Sequence, residues 1–322
     1  MKSNGAAYAL ALLYAMIIGF SFLFTKLALR HADPIDLLAY RFALSYAALA
    51  IALRIGRTRS PQPATGRKRK GRMQLLLIGL VYPTAFFGFQ SFGLDASTTS
   101  AAGIFTAIAP IFTLLLGALV LKERPTRLQL LSVCVSVFGL AFMAGLSGGS
   151  FEGTTPLGAA LMLLSAVSIG LYSVMARRMR SDYSAAQLSQ AMMLTGCIVF
   201  VLLSLGRHAV QGTLPELLAP WREPGFWLPL FYIALLSSVV SSWLSNLVLA
   251  RLEAFKVSLF VNLGNLITIV SGVALMHDRW TLAQTVGAAC MLAGVLGANL
   301  GGGVRVSSRN SAPPLAKGVD AP

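Results

Sequence analysis

Ten runs of about twenty apolar residues, separated by short polar loops, constrain this 322-residue chain more than any other feature of it. They cover residues 6–27, 34–53, 73–94, 98–121, 127–146, 157–177, 183–205, 226–249, 255–276 and 281–300. A helix needs roughly 20 apolar residues to cross about 30 Å of hydrocarbon, and backbone polar groups left unpaired in lipid forbid irregular alternatives. The sequence therefore predicts an all-α polytopic membrane protein of ten transmembrane helices. Only 11% of the residues are charged, less than half the share usual in soluble domains. Prolines mark helix starts at Pro34 and Pro156, and Pro125 marks the tight turn before the fifth run.

The net charge of +15 resembles that of a nucleic-acid binder, but its distribution argues otherwise. Ten spans put both termini on one side of the bilayer. With that side cytoplasmic, it holds twenty basic residues and four acids, while the opposite loops hold four and seven. Lys and Arg concentrate in cytoplasmic loops, so the positive charge reads as a topology signal and no nucleic-acid partner is expected. Eight of the basic residues lie in 54–72, where a solvated loop beside anionic headgroups is the plain reading and a lipid or protein docking role the alternative. The expected location is the plasma membrane of a bacterial cell, with the bilayer as partner. The tail 305–322, small, polar and proline-bearing, is expected to be disordered.

The chain also repeats itself. Residues 106–140 match 261–295 at a shift of 155, which sets Gly117 on Gly272, Arg124 on Arg279, Gln129 on Gln284 and Gly139 on Gly294. Residues 19–26 match 170–177 at a shift of 151. Two five-helix units result, 1–150 and 151–304. Because five is odd, the second enters the membrane from the opposite side, as an inverted repeat about an axis in the membrane plane. Such duplication underlies alternating access in many transporters and suits neither an anchor nor a receptor.

The succession GFSFLFTKLAL, PIDLLAYRF, APIFTLLLGALVLKERPT, LYSVMARR and MHDRWTLAQTVGAACMLAGV resembles the EamA branch of the drug/metabolite transporter superfamily over residues 6–300. The resemblance implies ten helices, a central cavity between the repeats and movement of small metabolites, often amino acids and often outward. Two positions depart from the family pattern: Asn265 stands where a proline is expected opposite Pro110, and Asp278 replaces the usual glutamate.

Polar residues inside spans are costly and tend to line an interior or a water path. Arg41, two turns into the second span, is either a clamp for a substrate carboxylate or a structural tie, with Asp36 one turn away as a partner. Lys26 either snorkels to the interface or takes the binding role that the resemblance gives a basic residue there. Ser258, Asn262 and Asn265 share one face of the ninth span, as cavity lining or as glue between helices. Gln90 matches Asn246 at a shift of 156, which makes them a symmetric pair of cavity candidates. Tyr172 and Trp243, with Tyr14 and Tyr82, suggest an aromatic wall, with core packing the alternative, and Trp221, Trp227 and Trp280 read as interfacial anchors. Gly294 and Gly297 offer a close-contact face, within the chain or between copies in a homo-oligomer.

Other functions fit less well. Cys134, Cys197 and Cys290 lie inside apolar runs without CxxC spacing, so neither a metal nor a redox cofactor is expected. His31, His208 and His277 fall at separate places in the outer loops, and no HExxH motif occurs, so the chain is not expected to be an enzyme. No Asp or Glu sits mid-span, which disfavours proton-coupled exchange of organic cations. The reading is a carrier for a small-molecule substrate, an amino acid or a related zwitterionic or anionic compound, exported by alternating access. The alternative is a flippase, or an accessory subunit of one, handling a lipid headgroup.

Overall fold

The computed structural model describes residues 5–55, 68–106, 108–121, 126–146, 154–179, 182–252 and 254–276, with separate positions between 282 and 297. Among these residues there is helix and no strand. Twelve α-helices follow in order: α1 Gly5–Ala28, α2 Pro34–Ile55, α3 Lys68–Gly79, α4 Phe86–Asp95, α5 Thr99–Thr106, α6 Ala109–Leu116, α7 Arg127–Leu146, α8 Pro156–Met179, α9 Ala185–Gln211, α10 Pro224–Phe231, α11 Ser241–Arg251 and α12 Ala254–Met276. Six helical segments are long and apolar enough to cross a bilayer: Gly5–Ala28, Pro34–Arg54, Met73–Asp95, Pro156–Met179, Ala185–Gln211 and Pro224–Arg251. The fourth expected span is broken rather than continuous. Proline lacks an N–H and disfavours helix in the residue before it, and α6 begins afresh with Pro110 in its first turn. Most of the tenth span, the loop 56–67, Trp280 and the tail 305–322 lie outside the described residues.

Local chemistry fixes several ends. Ser184 and Gln187 form a reciprocal capping box at the start of α9, with the Gln187 N–H donating to Ser184 Oγ at 3.2 Å and the Ser184 N–H to Gln187 Oε1 at 2.9 Å. Gly212, at φ 69°, closes the same helix in the left-handed conformation that glycine adopts without steric cost. That helix runs past the apolar stretch, which corrects the loop placement of His208: its side chain is buried in the last turn of α9. Two membrane-crossing segments carry wider π-type turns in mid-course, Leu80–Ala85 and Tyr232–Val240. At the first, Tyr82 has extended backbone angles (φ −141°, ψ 114°) ahead of Pro83, and Thr84 Oγ1 donates to the Gly79 carbonyl at 3.0 Å, satisfying one group that the break would orphan.

The two repeats interlock. The first helix of each packs on the fourth span of the other, α1 on α12 and α8 on α6. At these crossings a Cβ on Gly19 would lie 2.6 Å from Ile267 Cβ, and one on Gly170 would lie 3.1 Å from Phe112 Cβ. Those are equivalent contacts, since Gly19 corresponds to Gly170 at a shift of 151 and Phe112 to Ile267 at 155. The last spans behave alike: a Cβ on Gly139 would lie 2.7 Å from the Gly287 carbonyl, and one on Gly294 2.6 Å from the Ser132 carbonyl, again 155 residues apart. Gly294 and Gly297 thus meet α7 of the same chain. The first helices run in opposite senses, because the end of α1 and the start of α8 meet one loop: Lys26 Nζ donates to the Leu94 and Ser97 carbonyls at 2.7 and 2.8 Å, and the Thr155 N–H to the Ala96 carbonyl at 3.0 Å.

Candidate functional site

Where these helices diverge at mid-course they leave a cavity, with about 460 Å³ of empty space including its open mouth. Its wall draws on both repeats: Tyr14, Ile18, Ser21 and Phe22 from α1, Tyr82 from the helix break, and Phe86, Phe87 and Gln90 from α4. Thr106 of α5, Ile169 of α8, Ser237 of the second π-type segment, and Val261 and Asn265 of α12 complete it. One side is aromatic. The Tyr82 ring lies 5.0 Å from that of Phe86 and 5.2 Å from that of Phe87, and stacks from behind on Tyr172 at 4.3 Å. The other polar positions are neutral side chains, and no carboxylate or ammonium is among the lining residues.

Gln90 and Asn265 reach the cavity as expected, as do Tyr14 and Tyr82 of the expected aromatic wall. Gln90 is 2% exposed and its Oε1 has no hydrogen-bond partner among the described residues. A buried acceptor in that state costs about 1–3 kcal/mol, so the cavity wall here offers an acceptor to a hydrogen-bond donor. Asn265, the residue in the expected proline position, accepts from Thr106 Oγ1 at 3.2 Å across the repeat interface. A proline there would remove that bond and its donor–acceptor versatility.

Tyr172 and Asn246 sit one layer back. The Tyr172 hydroxyl donates to Asn246 Oδ1 at 3.2 Å and lies 3.0 Å from Ser245 Oγ; Asn246 Nδ2 donates to Ser189 Oγ at 3.0 Å. Asn246 is therefore bonded on both its amide atoms, whereas its sequence counterpart Gln90 keeps an unpaired oxygen. Arg41 is fully buried behind the wall: Nε donates to Ser238 Oγ at 2.7 Å, Nη2 to Ser237 Oγ at 3.0 Å, and the guanidinium carbon lies 3.8 Å from the centre of the Phe87 ring.

Two expectations change. Asp36 is not the partner of Arg41; it accepts from Ser204 Oγ at 2.6 Å, from Arg207 Nη2 at 2.5 Å and faces His208 Nε2 at 3.1 Å. Lys26 Nζ holds the Leu94 and Ser97 carbonyls at and just beyond the end of α4 and is not among the cavity-lining residues. Trp243 leaves the aromatic wall, because its side chain is 48% exposed on the outward face of α11. The side chains of Asn262 and Ser258 lie outside the described residues.

Sequence reasoning missed Ser21, Phe86, Phe87, Thr106 and Ser237. For Ser21 a signal existed: it lies on the α1 face of Tyr14, Ile17 and Ser21, spaced at three and four residues.

The family of EamA-like transporters matches residues 5–145 and 156–300 of the chain, one match for each repeat. The uncharacterized transporter YcxC of Bacillus subtilis (strain 168) is 40% identical over 294 residues, covering 91% of this chain and 93% of that protein. The uncharacterized transporter YyaM of the same organism is 24% identical, covering 93% and 96%. A protein of known crystal structure, 17% identical, superposes with a TM-score of 0.70 over 92% of this chain and 98% of its own, and so shares the fold.

Proposed function

From the premise that the chain belongs to the EamA-like transporter family, and so is a membrane transporter and not an enzyme, we propose that it carries small zwitterionic or anionic metabolites, amino acids foremost, out of the cell by alternating access. The observation that carries this reading is the mid-bundle cavity to which both repeats contribute, with the unpaired Gln90 Oε1 at its wall. A polar group is kept buried without a partner at a cost, and a bound metabolite N–H would remove it. The aromatic side, Tyr82, Phe86 and Phe87, suits an apolar side chain. Ionised carboxylates are missing from the lining, which disfavours an organic cation as cargo.

In this reading ten helices form two inverted units, 1–150 and 151–304, in the plasma membrane with both termini cytoplasmic. The end of the bundle that holds the Asp36–Arg207–His208 cluster then faces outward. The substrate site comprises Gln90 and Asn265 at the cavity, with Arg41, Tyr172 and Asn246 as its support.

Purified full-length protein in vesicles loaded with a panel of labelled amino acids tests the proposal. Release above that of protein-free vesicles is the expected result, with a Gln90→Leu form slower on substrates that bear an ammonium group. Unchanged release across the panel together with faster lipid scrambling would replace it with the flippase reading.

A further inference from the structure

Arg41 is one of the largest fully buried side chains of the protein, and among the described residues it forms no ion pair. Its partners are two serine hydroxyls and a ring face, and its Nη1 is buried without any hydrogen-bond partner. A buried cation compensated only by neutral groups is costly unless an opposite charge approaches. Asp36, on the same helix, is committed to Arg207, His208 and Ser204 and so does not serve.

The route by which the charge reaches the cavity follows from proton counting. A guanidinium donates and never accepts, so Ser237 Oγ receives Arg41 Nη2–H. Ser237 then has one proton to give, and it gives it to Ser21 Oγ at 2.7 Å. Ser21 accepts that bond, and its own O–H has no acceptor among the described residues while the side chain lines the cavity. Arg41 therefore fixes the direction of the whole chain: every proton along Arg41–Ser237–Ser21 points away from the cation, and a donor emerges into the cavity. Hydrogen bonds in such a chain polarise one another. Across the cavity, Gln90 Oε1 supplies the opposite preference, an acceptor without a donor.

We propose that Arg41 is a positioning residue that, through Ser237 and Ser21, makes one side of the cavity a receptor for the carboxylate of the substrate while Gln90 accepts from its ammonium group. This deepens the proposed function and rests on that reading. It assigns the site a polarity: the carboxylate at α1, the ammonium group at α4, and the apolar side chain against Tyr82 and Phe86. Arg41 does not touch the substrate; its charge is felt two hydroxyls away, which is why a serine as well as the arginine must matter.

The test uses full-length protein in vesicles with two matched series, phenylalanine and leucine, each with its amide and its deaminated acid, as competitors of labelled release. Wild-type protein is expected to prefer each amino acid to its amide. Ser237→Ala should lower the acid-to-amide preference roughly tenfold, the size of one charge-assisted hydrogen bond, with Ser237→Thr restoring it and Arg41→Met lowering it likewise. Gln90→Leu should instead lower the preference for the amino acid over the deaminated acid. An acid-to-amide ratio unmoved in Ser237→Ala and Arg41→Met proteins that melt like wild type overturns the relay alone. Wild-type protein that releases and binds no member of either series overturns the proposed substrate class and the relay with it.

Discussion

Two buried cationic sites lie on either side of one turn and a half of α2, and they are resolved in opposite ways. At the first turn, Asp36 receives a serine hydroxyl, an arginine and a histidine from α9, and Arg207 reaches Asp33 as well at 3.2 Å; the His208 ring is held from its other side by Thr213 at 2.7 Å. Five residues on, Arg41 has two hydroxyls, the Phe87 face and one unused N–H group. The first arrangement pairs its charges in a structural tie between the second helices of the two repeats, although Arg207 Nε is left without a hydrogen-bond partner among the described residues. The second has no acid among its described partners, and it lies behind the cavity wall, which its partner Ser237 lines. Charge that is paired holds helices together; charge left short of a counter-ion is available to a ligand.

The largest effect should come from breaking the Asp36 site. Asp36→Ala strands Arg207 and His208 beside each other and should cost about 3 kcal/mol of stability, read as a lower melting temperature in detergent. Arg41→Met should cost little stability, since it replaces a buried charge that has no acid partner among the described residues by an apolar side chain of similar length. Its melting temperature should stay near wild type while release of carboxylate-bearing substrates falls roughly tenfold. Should Arg41→Met unfold the protein as Asp36→Ala does, the contrast fails and Arg41 becomes a second tie. A smaller change is expected for Gln90→Leu, which removes an orphaned acceptor: stability unchanged or higher by up to about 1 kcal/mol in the same melting assay, with activity reduced. Smallest is Trp243→Leu, on the outward face of α11, with a shift under about 0.5 kcal/mol and release rates unaltered.

How far the sequence foretold this arrangement depends on the distance over which each feature is decided. Spans and duplication are local or periodic; six of the spans stand among the described residues, and the matched glycines Gly19 and Gly170, Gly139 and Gly294, occupy equivalent crossings. The fourth span reads as one apolar run, yet Pro110 lies in the first turn of a fresh helix within it. Pairings between distant residues were not readable. Asp36 and His208 are 172 residues apart, and the end of the apolar run at 205 hid the fact that α9 continues to Gln211, where His208 finds its acid. Gln90 and Asn246 show the deeper difficulty. They are equivalent by repeat and alike in chemistry, yet Ser189 and Tyr172 satisfy one and nothing satisfies the other. Trp243 is different again, because its placement was legible: Ser242, Ser245, Asn246 and Leu249 form one buried face at helical spacing, and a residue beside Ser242 turns about 100° away from it.

The crossing of α7 with the stretch around residues 287–294 has a geometric consequence. Gly139 against Gly287 and Gly294 against Ser132 are the same contact seen from either helix, so the rotation that exchanges the halves leaves this meeting point where it was. Were the halves to trade shapes as the cavity opens first to one side and then to the other, most residues would travel, but this junction would be the fulcrum. Glycine suits a fulcrum: with no Cβ at Gly139 or Gly294 the two backbones approach closely, with only the short side chains of Cys290 and Ser136 against them.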